Sequence, residues 1–177
     1  MKIEYDIMEP PFFKSFYEMN AKEAKEIFSF YTSQIPIRIK YLESFVTKNV
    51  DCDIHFDYSR ESLVKFWDWY GDLLVEQQKN YPVEGNPLDL SFDVLGIGSD
   101  FAMYFGELFI KDHPKIHWGY KSKPKSNFFL NRPALLGFQD NVVYCPEHSI
   151  SMCVRRALEE KNPYEVINIF DMWSKYI

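Results

Sequence analysis

From Asp89 to Pro114 apolar residues occupy most positions: Leu90, Phe92, Val94, Leu95, Ile97, Phe101, Ala102, Met103, Tyr104, Phe105, Leu108, Phe109 and Ile110. Wound as a helix, this stretch is apolar around most of its circumference, and such a helix belongs inside a protein. The pattern therefore predicts a central buried helix near 91–112. Elsewhere the apolar spacing is that of amphipathic elements. Asn20, with Glu23 three residues on, has the form of a capping box, and Ala24, Ile27, Phe28 and Tyr31 follow at helical intervals. That predicts a first helix to about Ser33. Pro36 suits the first turn of a second helix carrying Ile39, Leu42, Phe45 and Val46, so the two are expected as a helical hairpin. Between 49 and 58, Val50, Cys52, Ile54 and Phe56 alternate with Asp51, Asp53, His55 and Asp57, which is strand periodicity, although an ordered loop fits equally. Ser59 caps a third helix with a stripe of Leu63, Phe66, Trp67, Tyr70 and Leu74.

Beyond Pro114 the period changes. Ile116, Trp118 and Tyr120 alternate with His117, Gly119 and Lys121, and short apolar runs follow at 134–138 and 142–145. These predict a small antiparallel β-meander near 115–145, of about three strands. Pro146 opens a helix with Ile150, Cys153, Val154, Ala157 and Leu158 on one face. Asn162-Pro163 caps the last, with Val166, Ile167, Phe170 and Trp173. The expected architecture is a mostly helical α+β single domain over 1–177, with about six helices counted from the periodic stretches. Residues 1–19, with Pro10-Pro11-Phe12-Phe13 and Phe16-Tyr17, are too apolar for a free tail and are expected to lie extended on the helices.

Composition narrows the class. At 46% hydrophobic and 18% aromatic the chain can fill a core, and it lacks the composition of a disordered segment. No uncharged apolar run reaches the roughly 18 residues that a membrane span needs, so no membrane association is expected. The acidic start Met1-Lys2-Ile3-Glu4-Tyr5-Asp6 has no apolar signal core, and three sparse cysteines make no disulfide framework; both point to a cytoplasmic protein. The net charge of −6 is unevenly spread: residues 1–112 carry 11 Lys and Arg against 20 Asp and Glu, and residues 113–177 carry 9 against 6. The first balance is −9 and the second +3. An acidic body disfavours nucleic acid and favours a basic protein partner, although a solvated surface accounts for the same balance.

Candidate chemistry centres on three acids. Asp93, Asp100 and Glu107 recur every seven residues and stay on one side of a helix, drifting only about 20° per heptad. Tyr104 falls on the same side. Successive acids are about 10 Å apart at 1.5 Å per residue, too far to share a metal ion without ligands from elsewhere. The spacing therefore favours a polar stripe on a buried helix, with Glu107 paired to a lysine or arginine of the meander. The chemical alternative is a small enzyme with an acid-centred pocket around Glu107, using Asp100, Tyr104 or His117. Gly98, Ala102 and Gly106 repeat every four residues on another side and read as a close-packing face. Two Cys-x-x-His pairs, Cys52/His55 and Cys145/His148, have zinc-ligand residue types but no glycine-turned knuckle, and coincidence accounts for them. No cofactor is expected. Gly96-Ile97-Gly98 fails the dinucleotide fingerprint because position 101 is Phe, and no G-x-S-x-G, P-loop or H-E-x-x-H occurs. His113 and His117 sit at a corner with no nucleophile in the pattern around them. Lys121–Arg132, interleaved with Phe128 and Phe129, has the residue types of a base-stacking loop but reads as a solvated one against so acidic a chain.

The run Met19-Asn20-Ala21-Lys22-Glu23-Ala24, Ile35-Pro36-Ile37-Arg38 with Leu42, Tyr104-Phe105-Gly106-Glu107, Trp118 and Pro133 to Phe138 resembles a group of small bacterial proteins and, loosely, immunity proteins that neutralise polymorphic toxins. The resemblance implies a protein-interaction domain, an immunity-type toxin inhibitor. It carries over no catalytic residue.

Overall fold

Ser91 closes the loop before the central helix by accepting a hydrogen bond from the backbone of Val94, and the helix it caps runs Phe92–Asp112. The structure, a computed structural model, describes residues 2–50, 53–86 and 88–177. In chain order the helices are α1 (Ala21–Asn49), α2 (Arg60–Asn80), α3 (Phe92–Asp112), α4 (Pro146–Glu159) and α5 (Glu165–Ser174). Two three-residue strands, β1 (His117–Gly119) and β2 (Ala134–Leu136), pair antiparallel with Trp118 opposite Leu135. The fold is thus mostly helical with a small antiparallel sheet. As its apolar circumference requires, α3 is the inner helix, packed against α1, α2 and α4, with Phe101, Phe105 and Phe109 fully enclosed. Phe101 stacks on Phe66 of α2 at 4.1 Å, and Phe109 meets Phe170 of α5 at 4.5 Å. Rings of three helices therefore meet along one side of α3.

The expected hairpin at Pro36 is a single 29-residue helix instead. Its buried positions, Ala24, Ile27, Tyr31, Ile35, Arg38, Ile39, Leu42 and Val46, keep helical spacing straight through the proline. A break there would throw the second half of that stripe out of register with α3, so burial outweighs the one backbone hydrogen bond that proline removes. In the preceding turns Thr32 donates its hydroxyl to the Phe28 carbonyl and Ser33 to that of Phe30. The Asn20 capping box forms as predicted: Asn20 accepts from the Lys22 and Glu23 amides, and Glu23 accepts from the Asn20 amide.

Two β expectations are reduced. Residues 53–58 form no strand, although Ile54 and Phe56 turn inward; Asp51 and Cys52 of that stretch lie outside the described residues. The third strand of the meander shrinks to one bridge, Leu135 with Tyr144. A 3-10 turn at Gln139–Asn141, with Asp140 and Asn141 both at positive φ, leaves no length for more. The first part of the N-terminal segment lies on the helices, with Ile3 and Tyr5 buried, but of the apolar residues behind that expectation Phe13 and Tyr17 stay exposed.

Candidate functional site

The three acids of α3 have three different fates. Asp93 stays half-buried in the first turn. Asp100 is only 1% exposed, and three donors converge on it. The Tyr5 hydroxyl donates at 2.5 Å, Arg38 Nε at 3.0 and 3.1 Å to the two carboxylate oxygens, and Arg38 Nη2 stands 2.7 Å from Oδ2. Arg38 also donates to the Asp6 backbone carbonyl and lies 4.8 Å from the Tyr41 ring centroid. Burial pushes the Asp100 carboxyl up, while Arg38 and Tyr5 pull it down. Burial and the Asp100 charge push the Tyr5 phenol far above its ordinary value. The cluster joins the N-terminal segment, α1 and α3 through charge-assisted hydrogen bonds whose partners are all committed.

Glu107 is half-buried and accepts from the Trp118 indole N–H at 2.7 Å. Its expected partner, a lysine or arginine of the meander, is therefore an indole of the sheet. The glycine face makes this contact available: a Cβ on Gly106 would collide with the Trp118 ring, and one on Gly98 would lie 2.7 Å from the Tyr70 hydroxyl. Tyr104 turns toward the start of α2, its hydroxyl 2.6 Å from Ser62 Oγ and accepting from the Tyr58 amide at 2.7 Å. His117 is exposed, with Nδ1 3.1 Å from the Lys115 carbonyl oxygen. Asp100, Tyr104, Glu107 and His117 thus face four different neighbourhoods and do not converge on one reacting point.

The two Cys-His pairs fare similarly. His55 is exposed and pairs with Asp53 at 2.6 Å, and its sequence partner Cys52 lies outside the described residues. Cys145 is buried, its thiol pushed up to about 11 by burial, and His148 packs edge-on against Phe128 and Phe129. Among the described residues no group of three His, Cys, Asp or Glu side chains is arranged around a metal position. In the basic loop, Arg132 stacks over Phe16 at 4.8 Å and Asn131 donates to the Phe16 carbonyl, so the loop holds down the N-terminal segment.

A concave site lies beside this segment. A cleft of about 380 Å³ is bounded by residues 7–19, α1, the first half of α3 and the start of α4. Its walls are largely apolar, with Phe12, Ile27, Phe30, Leu95 and Met103 among them. At its rim Phe13 and Phe92 are 87% and 73% exposed. Two carboxyl groups reach the lining, Asp100 and Glu147. Asp100 is saturated by Arg38 and Tyr5, whereas Glu147, in the first turn of α4, has no hydrogen-bonding partner among the described residues. Burial raises its carboxyl above the ordinary value, opposed only by the charge of Arg132. The Tyr31 phenol, on the same wall, is pushed well up by burial and next by the Glu147 charge. Of these residues the sequence patterns singled out Asp100 alone. Arg38 carried a usable signal, a charge on the buried stripe of α1; Glu147, in a helix's first turn, has nothing in the pattern around it that separates it from a solvated acid.

Comparison with known proteins places the chain beside none of them: no family model matches it, and no curated protein or solved structure is significantly similar.

Proposed function

We propose that this protein is a non-catalytic interaction domain that takes a side chain of a basic partner protein into the 380 Å³ cleft, in the manner of an immunity-type inhibitor. The observation that carries this reading is the pair of exposed aromatic rings, Phe13 and Phe92, at the mouth of an apolar cleft. Rings left in water beside a concave apolar wall have the character of an interface centre, where aromatic anchors supply most of the binding energy. Charge supports the same partner: the −9 balance of residues 1–112, which supply most of the cleft, steers a basic surface toward it. The resemblance to toxin-neutralising proteins adds the biological form of the interaction.

The test is affinity capture from the native host with wild-type protein and with the double variant Phe13→Ser, Phe92→Ser side by side, followed by co-expression of whatever distinguishes the two. A basic protein held by wild type, shed as salt rises toward ~0.5 M, missed by the variant and less toxic to growth in the presence of this chain is the expected result. Identical captures by the two proteins would overturn the reading.

A further inference from the structure

The cleft has one feature that an apolar side chain alone leaves unmet. Glu147 and Ser99 line both the main cleft and an adjoining recess of about 170 Å³ formed with Leu88, Ile150 and Val154, so the acid stands where two apolar spaces join. Among the described residues no nearby cation hydrogen-bonds to it, and Arg132 acts on it through charge alone. Lys14, on the cleft wall, is bound to Glu23 at 2.8 and 2.9 Å; Arg38 is held by Asp100; and the Arg132 guanidinium is stacked on Phe16. Glu147 is half-buried and open to water in the cleft, and a ligand that covers its ionised carboxylate without pairing it meets a large desolvation cost.

We propose that the group received by the cleft is a primary alkylammonium, presented by the partner protein as a lysine side chain, with Glu147 as its counter-ion. This rests on the cleft being the binding site. A lysine matches both halves of the lining: its four methylenes lie along apolar surface such as Ile27, Leu95 and Met103, and its ammonium presents three donors. The two carboxylate oxygens of Glu147 and the Ser99 hydroxyl on the same stretch of wall are the acceptors. A carboxylate ligand would meet Glu147 with like charge. A neutral apolar ligand would cover Glu147 without pairing it, losing in desolvation part of what it gains from the walls.

Chemical-shift titration at pH 7 with hexylamine, 1-hexanol and hexanoate separates these cases, run on wild type and on Glu147→Gln, and repeated with blocked peptides differing only in lysine or norleucine. Hexylamine is expected to bind at least tenfold more tightly than hexanol to wild type and equally to Glu147→Gln, with hexanoate weakest and the lysine peptide ahead of the norleucine peptide. A cooperative thermal transition and a dispersed amide spectrum like those of wild type check that the variant is folded. Equal binding of amine and alcohol to wild type would overturn the counter-ion role and leave the cleft as an apolar site. Failure of every probe to shift cleft resonances would overturn the site itself. Binding of the amine without any preference for the lysine peptide would overturn the lysine source.

Discussion

Asp100 has the strongest set of partners among the acids of α3, and the energetics of a buried ion pair give that arrangement a clear consequence. Arg38 is 5% exposed and Asp100 1%, so removing either charge strands the other in a medium that solvates it poorly. Asp100→Asn is expected to destabilise the fold by about 3–5 kcal/mol, measured by urea denaturation. The triple change Tyr5→Phe, Arg38→Met, Asp100→Leu should recover most of that loss, because it strands neither a charge nor the Tyr5 hydroxyl. Glu107 is a different case, since its partner is a neutral indole N–H and it retains access to solvent. Equal spacing along the chain hid this difference. Heptad spacing puts Asp93, Asp100 and Glu107 on one side of α3, but what each meets is set by Tyr5 and Arg38 in one place and Trp118 in the other, 62 or more residues away for the first pair.

At the level of elements, capping residues and apolar period located the helices of the described residues but divided α1 into two at Pro36, and where that proline and a continuous stripe disagreed, the stripe won. Ile35, Arg38, Ile39 and Leu42 carry on the face begun by Ala24, Ile27 and Tyr31 without a phase shift. That continuity is written in the spacing of the residues themselves and is a stronger signal than one missing N–H. The start of the same helix depends on a local device. Asn20 is exposed and satisfies two amides, so Asn20→Ala should cost about 1 kcal/mol, read as a lowered midpoint in thermal unfolding with no change in the folded spectrum. Strands were harder to read, because three-residue strands carry too little alternation to distinguish from loops. Tyr144, at the end of the third apolar run, pairs with Leu135 through two backbone hydrogen bonds of 2.7 and 3.1 Å and goes no further.

For the molecule as a whole, packing around α3 should set the order in which it opens. Amides of Phe101 to Phe109, enclosed by rings of α2 and α5, are expected to exchange with solvent only on global unfolding. Residues 8–16, mostly exposed and lying over the cleft, should exchange at least about 10³-fold faster, as hydrogen–deuterium exchange mass spectrometry would show. The helices, the burial of α3, the close-packing glycines and the acidic balance were all legible in the order of residues, because each is a property of period, residue size or charge that acts within a few turns of the chain. The pairing of Asp100 with Arg38, the hold of Trp118 on Glu107 and the place of Glu147 on a cleft wall, without a hydrogen-bonding partner among the described residues, emerged only from the packed fold. Those outcomes depend on which distant side chain arrives at each carboxylate, and a one-dimensional pattern carries no record of that.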